Sequence, residues 1–218
     1  MRTPLYLILL ITFGLLTSAN AAVIINNTTQ GYYNQAIGTL LDGTDPAFPA
    51  PYVDDNSYVY AAAPNISAAS AVLGNWLTAP AALNANWSAL QAIPAGWNIN
   101  DETAIIYQID AGTTGLNNVV TQLGVDNGIF VWLDGIFQRG WRAAGGAYEW
   151  EYSLDLGTLS AGTHYLQILR EDHGGSTGYT INVTGDSTAS AVPEPGTVAL
   201  LGLGLLGLGA NVRKRNKA

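Results

Sequence analysis

The sequence predicts an all-β protein: an antiparallel β-sandwich over residues 22–187, flanked by an N-terminal signal helix and a C-terminal transmembrane helix. Three observations lead there. Between the ends, short alternating or β-branched stretches recur between Gly, Asp and Asn turn signals, and no long run keeps a helical period. Hydrophobic residues make up 48% of the 218-residue chain against 11% charged, so a core can form, and a disordered acidic tail protein is excluded despite a formal charge of −8. Finally, the apolar runs Leu5 to Leu16 and Thr197 to Val212 stand at the two termini, where they read as addresses rather than as core.

Along the chain, Arg2, the run Leu5 to Leu16 and the small residues Thr17-Ser18-Ala19-Asn20-Ala21 have the three-part layout of a secretory signal peptide, residues 1–21, with cleavage after Ala21. Ile66 to Ala95 is alanine-rich, and Trp76, Trp87 and Trp97 are almost evenly spaced. The residues flanking them do not repeat, so the segment predicts a mostly irregular cover with one short helix. Asp101-Glu102 reads as a turn with exposed charge before a β-branched strand, Thr103 to Ile109, closed by Asp110-Ala111-Gly112. Asp126-Asn127-Gly128 leads into a strand Ile129 to Leu133. Asp134-Gly135 then suits a tight hairpin, whose central residues both need positive φ, with the return at Ile136-Phe137. Tyr148-Glu149-Trp150-Glu151-Tyr152 alternates strictly, which predicts a half-buried strand with three aromatics inward and both carboxylates on a solvated face. His164 to Arg170 and Tyr179 to Val183 follow as strands.

Residues 188–196 form a linker in which Pro193 and Pro195 hold Glu194 extended, since neither proline fits inside a helix. Residues 197–212, at ~1.5 Å each, span roughly 24 Å, short of a ~30 Å hydrocarbon layer but tolerable with local thinning. The basic tail 213–218, with Arg213, Lys214, Arg215 and Lys217, is expected on the cytoplasmic side. This arrangement resembles the PEP-CTERM sorting signal of bacterial exported proteins, with Pro193-Glu194-Pro195 as the matching motif. The resemblance implies recognition by a membrane-embedded peptidase, an exosortase. It also implies a precursor tethered to the inner membrane and facing the periplasm, then passage to the cell surface or extracellular matrix. The stretch from Val125 to Val183 resembles the closing half of a galactose-binding-like jelly roll, which makes the expected sandwich jelly-roll-like and brings no catalytic residue with it.

Five of the eight basic residues are Arg2 and the four of the tail. Val23 to Ala191 therefore holds fifteen carboxylates against Arg139, Arg142 and Arg170, a balance of −12 that repels phosphate backbones and excludes nucleic acid as a partner. With no cysteine, disulfides, thiol nucleophiles and cysteine-ligated metals are excluded. Two acidic loops, with Asp126 and Asn127 in one and Glu171 and Asp172 in the other, carry the oxygen ligands calcium takes; the same residue types are what tight turns use and what a sugar-contacting rim would offer, and all three readings stand. Trp141, beside arginines and glycines, is the aromatic expected to be exposed for a ligand, with His173 as a second ligand-binding candidate.

Gly174-Gly175-Ser176-Thr177-Gly178 satisfies a serine-hydrolase pattern, but a strand-like segment follows where that pattern needs a helix, and both histidines precede the serine. Glu149 and Glu151, neighbours on one strand face, cannot flank a sugar as paired glycosidase carboxylates do. The expectation is a non-catalytic structural or adhesive module with no required cofactor. The second reading is a carbohydrate-binding module for extracellular polysaccharide, and the third an extracellular hydrolase.

Overall fold

A computed structural model describes residues 21–52, 56–142 and 146–187. The signal helix, save Ala21, and the linker, transmembrane helix and basic tail lie outside these residues, Pro193, Glu194 and Pro195 among them. Among the described residues no helix is long and apolar enough to cross a membrane.

The described chain is mostly strand, in two antiparallel sheets. In order the strands are β1 (Ala22–Ile25), β2 (Gln30–Gly38), β3 (Tyr58–Tyr60), β4 (Gln91–Ala92), β5 (Glu102–Asp110), β6 (Leu116–Asp126), β7 (Gly128–Leu133), β8 (Ile136–Arg142), β9 (Tyr152–Leu159), β10 (Thr163–Glu171) and β11 (Gly178–Ser187). Between β3 and β4 a 3-10 turn, Ser67–Ala69, runs into the one-turn helix α1 (Ser70–Leu73). One sheet has the order β1-β11-β6-β9 and the other β3-β8-β7-β10-β5-β2-β4. From β5 onward the chain changes sheet at every connection except the β7–β8 hairpin.

Strand periodicity places the cores. Ile105, Tyr107 and Ile109 of β5, Ile129 and Val131 of β7, and Leu166 and Ile168 of β10 meet Val119, Leu123 and Val125 of β6 and Ile181 and Val183 of β11 between the sheets. The alternate residues Ala104, Ile106, Phe130, Trp132 and Leu169 face the other way, under Leu41 and Phe48 of the β2–β3 connection and Leu73, Trp76 and Trp87 of the cover segment. The larger sheet is thus buried on both faces, which is why β5 and β7 read as nearly continuous apolar runs. At the hairpin, Asp134 (φ 50°) and Gly135 (φ 78°) both take the expected positive φ.

Three local expectations are corrected. Tyr148 to Glu151 is not strand: Glu151 N–H bonds back to the Tyr148 carbonyl at 3.3 Å, a turn occupies 149–150, Trp150 has φ 72°, and β9 begins only at Tyr152. Tyr148 and Trp150 consequently stand 71% and 56% exposed rather than inward. The physical cause is Gly124 on β6. A Cβ there would collide with the Tyr148 carbonyl, so glycine lets this loop lie down on the sheet. Glu102 is fully buried at the start of β5 rather than in an exposed turn; burial, with Asp42 and Glu171 nearby, pushes its pKa up to about 10. Trp141 is half-buried, its ring stacked on Tyr152 at 5.1 Å and 15°. Its β8 position between β3 and β7 turns it against the core, which the loop-like composition around it concealed.

The hairpin tip is clipped to the β9–β10 turn by His164. Its Nδ1 lies 2.6 Å from Asp134 Oδ2 and its Nε2 2.9 Å from the Ser160 carbonyl, so both ring nitrogens face acceptors, as an imidazolium requires. Burial lowers the imidazole pKa, but the Asp134 carboxylate and the Ser160 carbonyl together outweigh it and hold the ring above its ordinary range. A folded pKa above the unfolded value of roughly 6.5 contributes stability that is whole below that pH and lost as pH rises through the folded value. The urea midpoint is expected to fall across that window, and the fall attributable to this pair to vanish in Asp134→Asn. An identical pH profile in the variant would count against the clip.

Candidate functional site

The outer face of the four-stranded sheet carries a cleft of about 430 Å³. Its floor follows from alternation: with Tyr179, Ile181 and Val183 of β11 and Leu123 of β6 pointing inward, Thr180, Asn182 and Gln122 face out. Asn182 Nδ2 donates to Gln122 Oε1 across the two strands at 3.0 Å. That bond uses one donor group and one acceptor, and leaves the pair an oxygen and an NH₂ group for a ligand.

One wall is the β1–β2 turn. Asn26 Oδ1 accepts from Thr28 N–H (2.9 Å) and Thr28 Oγ1 (2.7 Å), and the Asn26 N–H donates to Thr29 Oγ1 (3.0 Å), so the tip is held by its own side chains. Asn27 Oδ1 then accepts the Ile181 N–H at 2.8 Å and ties the turn to β11. The opposite wall is Glu149 and Trp150, brought over the sheet by the loop that Gly124 admits. An exposed indole thus stands over a row of amides and hydroxyls, and Glu149 is the one ionisable group lining the cleft.

No simple pattern in the sequence marks this cleft. The period-2 run Val119, Thr121, Leu123, Val125 would have located β6 and so its outward Gln122, but Asn117-Asn118 and Gly124 disguise the strand as turn.

The acidic loops do come together, at one end of the sandwich. Asn127 N–H donates to the Glu171 carbonyl (3.1 Å), and Asn127 Oδ1 accepts the His173 N–H (3.3 Å). Asp126 Oδ1 accepts from Asn127 Nδ2 (2.9 Å) and its Oδ2 from Ser176 Oγ (2.8 Å). Glu171 Oε1 pairs with His173 Nδ1 at 2.6 Å, while Asp172 Oδ2 accepts the N–H groups of Asn100 (2.6 Å) and Gly174 (3.3 Å). Burial raises the pKa of Glu171, with His173 pulling it back, and pushes Asp172 up to about 6 against its two backbone donors.

Glu171 Oε2 and Asp172 Oδ1 are buried without a hydrogen-bond partner. Even so, no group of three or more His, Asp or Glu side chains among the described residues is placed to hold a metal ion. Most of these oxygens already serve the loops' own backbone and side chains. His173 is 3% exposed and belongs to this cluster rather than to the cleft. Ser176 donates to Asp126 and leads directly into β11, so the glycine-rich loop is a strand connection and not a nucleophile elbow.

The chain has distant structural likenesses. A PA14 sugar-binding domain from an RTX adhesin aligns at TM-score 0.35 and 12% identity, over 72% of this chain and 90% of that one. A GH26-CBM35 β-(1,4)-mannanase of Podospora anserina aligns at 0.27 and 23% over 45% of this chain and 21% of the enzyme. A GH31 α-xylosidase of Xanthomonas citri aligns at 0.28 and 8%, over 77% of this chain and 17% of the enzyme. This chain thus spans about a fifth of the length of either enzyme, and no curated protein matches it in sequence. At the C-terminal side the match is of a different kind: residues 191–215, which hold Pro193-Glu194-Pro195, the apolar run and Arg213 to Arg215, are a PEP-CTERM protein-sorting motif.

Proposed function

We propose that this is an exported, exosortase-processed surface protein whose sandwich is a non-catalytic adhesive module holding extracellular polysaccharide in the Trp150 cleft. The observation that carries the reading is the pairing of an exposed indole with outward amides over one sheet face. A pyranose ring has an apolar C–H face and a rim of hydroxyls, so an aromatic plane and bidentate amides are complementary to it. An open cleft binds each sugar weakly, but many copies displayed on one surface raise the overall avidity by effective concentration. The alternation of the chain between the two sheets after β5 supports a jelly-roll-like description of the module. The sorting motif supports a precursor tethered by residues 197–212 with its folded part outside the membrane.

Two measurements test the two halves of this reading. Co-expressed with an exosortase, the mature product is expected to have lost the Arg213–Lys217 tail in addition to residues 1–21, read as its intact mass; a product that keeps the tail would overturn processing. On a panel of polysaccharides, the full chain is expected to be retarded by at least one extracellular polymer without changing its length. Depolymerisation would instead support the hydrolase reading.

A further inference from the structure

Resting on the adhesive reading, the geometry points to a ligand class: we infer that the cleft selects polysaccharides bearing free amines, deacetylated amino sugars, over neutral or uronate polymers. The cleft is lined by Val23, the amides and hydroxyls of the floor and the β1–β2 turn, Trp150 and Glu149, with no cation among them. Among the described residues Glu149 has no ion-pair partner. The side-chain cations of the described residues are placed elsewhere, and the one cation that cleavage after Ala21 adds near the cleft is the α-ammonium of Ala22, next to Val23. Arg170 is fully buried in the core, Arg142 sits over the Tyr58 ring at the β3 edge of the other sheet, and Arg139 is on β8 of that same sheet. The described residues include no lysine.

A carboxylate beside an exposed indole offers an ammonium group both an ion pair and an aromatic face, the two attractions available to a cation at a wet surface. A uronate brought to the same place meets Glu149 at close range, inside a domain whose balance from Val23 to Ala191 is −12. The neutral amides serve any sugar's hydroxyls equally, so they provide affinity, and Glu149 provides the choice.

The test compares glucosamine oligomers, their N-acetylated counterparts and oligo-uronates for binding to the full chain at mildly acidic pH, where the amines are charged. Free-amine oligomers are expected to bind roughly five- to tenfold more tightly than acetylated ones, the sum of an exposed ion pair and an exposed cation–π contact. Oligo-uronates are expected to bind weakest. Glu149→Gln and high salt should each remove the ion-pair share of the preference, leaving only the smaller cation–π share, and leave the acetylated oligomers unaffected. Equal affinities in the native chain, or a preference undiminished by Glu149→Gln, would overturn the inference while leaving the cleft a sugar site. Failure of every saccharide to bind, or binding indifferent to Trp150→Ala, would bring down the adhesive reading together with it.

Discussion

Arg170→Ala is expected to cost about 3–5 kcal/mol of folding stability, read as a lowered urea midpoint with an unchanged slope. Arg170 is fully buried, and no carboxylate pairs with it. Instead the guanidinium lies 4.1 Å from the Trp97 ring centroid, 4.9 Å from Tyr179 and 5.5 Å from Tyr33. Nε donates to Thr103 Oγ1 at 3.0 Å and an Nη to the Pro94 carbonyl at 2.8 Å. Burial lowers its pKa, but from so high a starting point that the group stays charged at neutral pH. One side chain therefore joins β2, β5, β10, β11 and the segment ahead of β5, and truncating it leaves a void lined by ring faces. Arg170→Lys is expected to lose about 2 kcal/mol, because an ammonium cannot present a planar fork to both acceptors while lying against three rings. Arg170→Met keeps the stem and removes the desolvated charge, so it should recover part of the alanine loss. An alanine variant within about 1 kcal/mol of the native protein would show that the aromatic cage holds nothing together.

Trp150→Ala is expected to weaken polysaccharide binding roughly thirtyfold, about 2 kcal/mol, while stability stays within about 0.5 kcal/mol of the native protein. The ring is more than half exposed, so its removal opens no void in the core. Trp141→Ala should behave in the opposite sense. That ring stacks on Tyr152 against the inter-sheet core, so its loss is expected to cost about 2 kcal/mol of stability and leave affinity nearly intact. Calorimetric titration and urea melts on both variants check the pair. Affinity lost with Trp141 and kept without Trp150 would move the site to the other sheet.

The strands of the second half were legible because their burial is periodic and their turns are chemical. Ile129 to Leu133 and His164 to Arg170 are β-branched or apolar runs bounded by Gly, Asp and Asn, and Asp134-Gly135 can make the tight hairpin it makes. Glu102 was misread for a related reason. An acid at a strand's start looks like turn chemistry, and nothing local announces that the end of β2 pairs with it and that Asp42 and Glu171 come near it. The acidic loops were visible as loops, and their meeting was not: Asn127 reaches Glu171 and His173 only because β7 and β10 are neighbours in the sheet.

By itself the sequence determined that the chain is β-rich, acidic between its ends and free of cysteine chemistry, and that it carries a sorting motif at 191–215. These are properties of composition and of contiguous segments, which the chain carries before it folds. Only the tertiary structure decided which strands share a sheet, that Arg170 is caged by rings from three separated segments, and that Trp150 is displayed while Trp141 is packed away. The same alternation of aromatic and acid can be a strand or a loop. What chose the loop is an absent side chain at Gly124, distant in sequence, whose missing volume lets the Tyr148 carbonyl settle on the sheet. Steric exclusion between distant segments leaves no periodic trace in either of them.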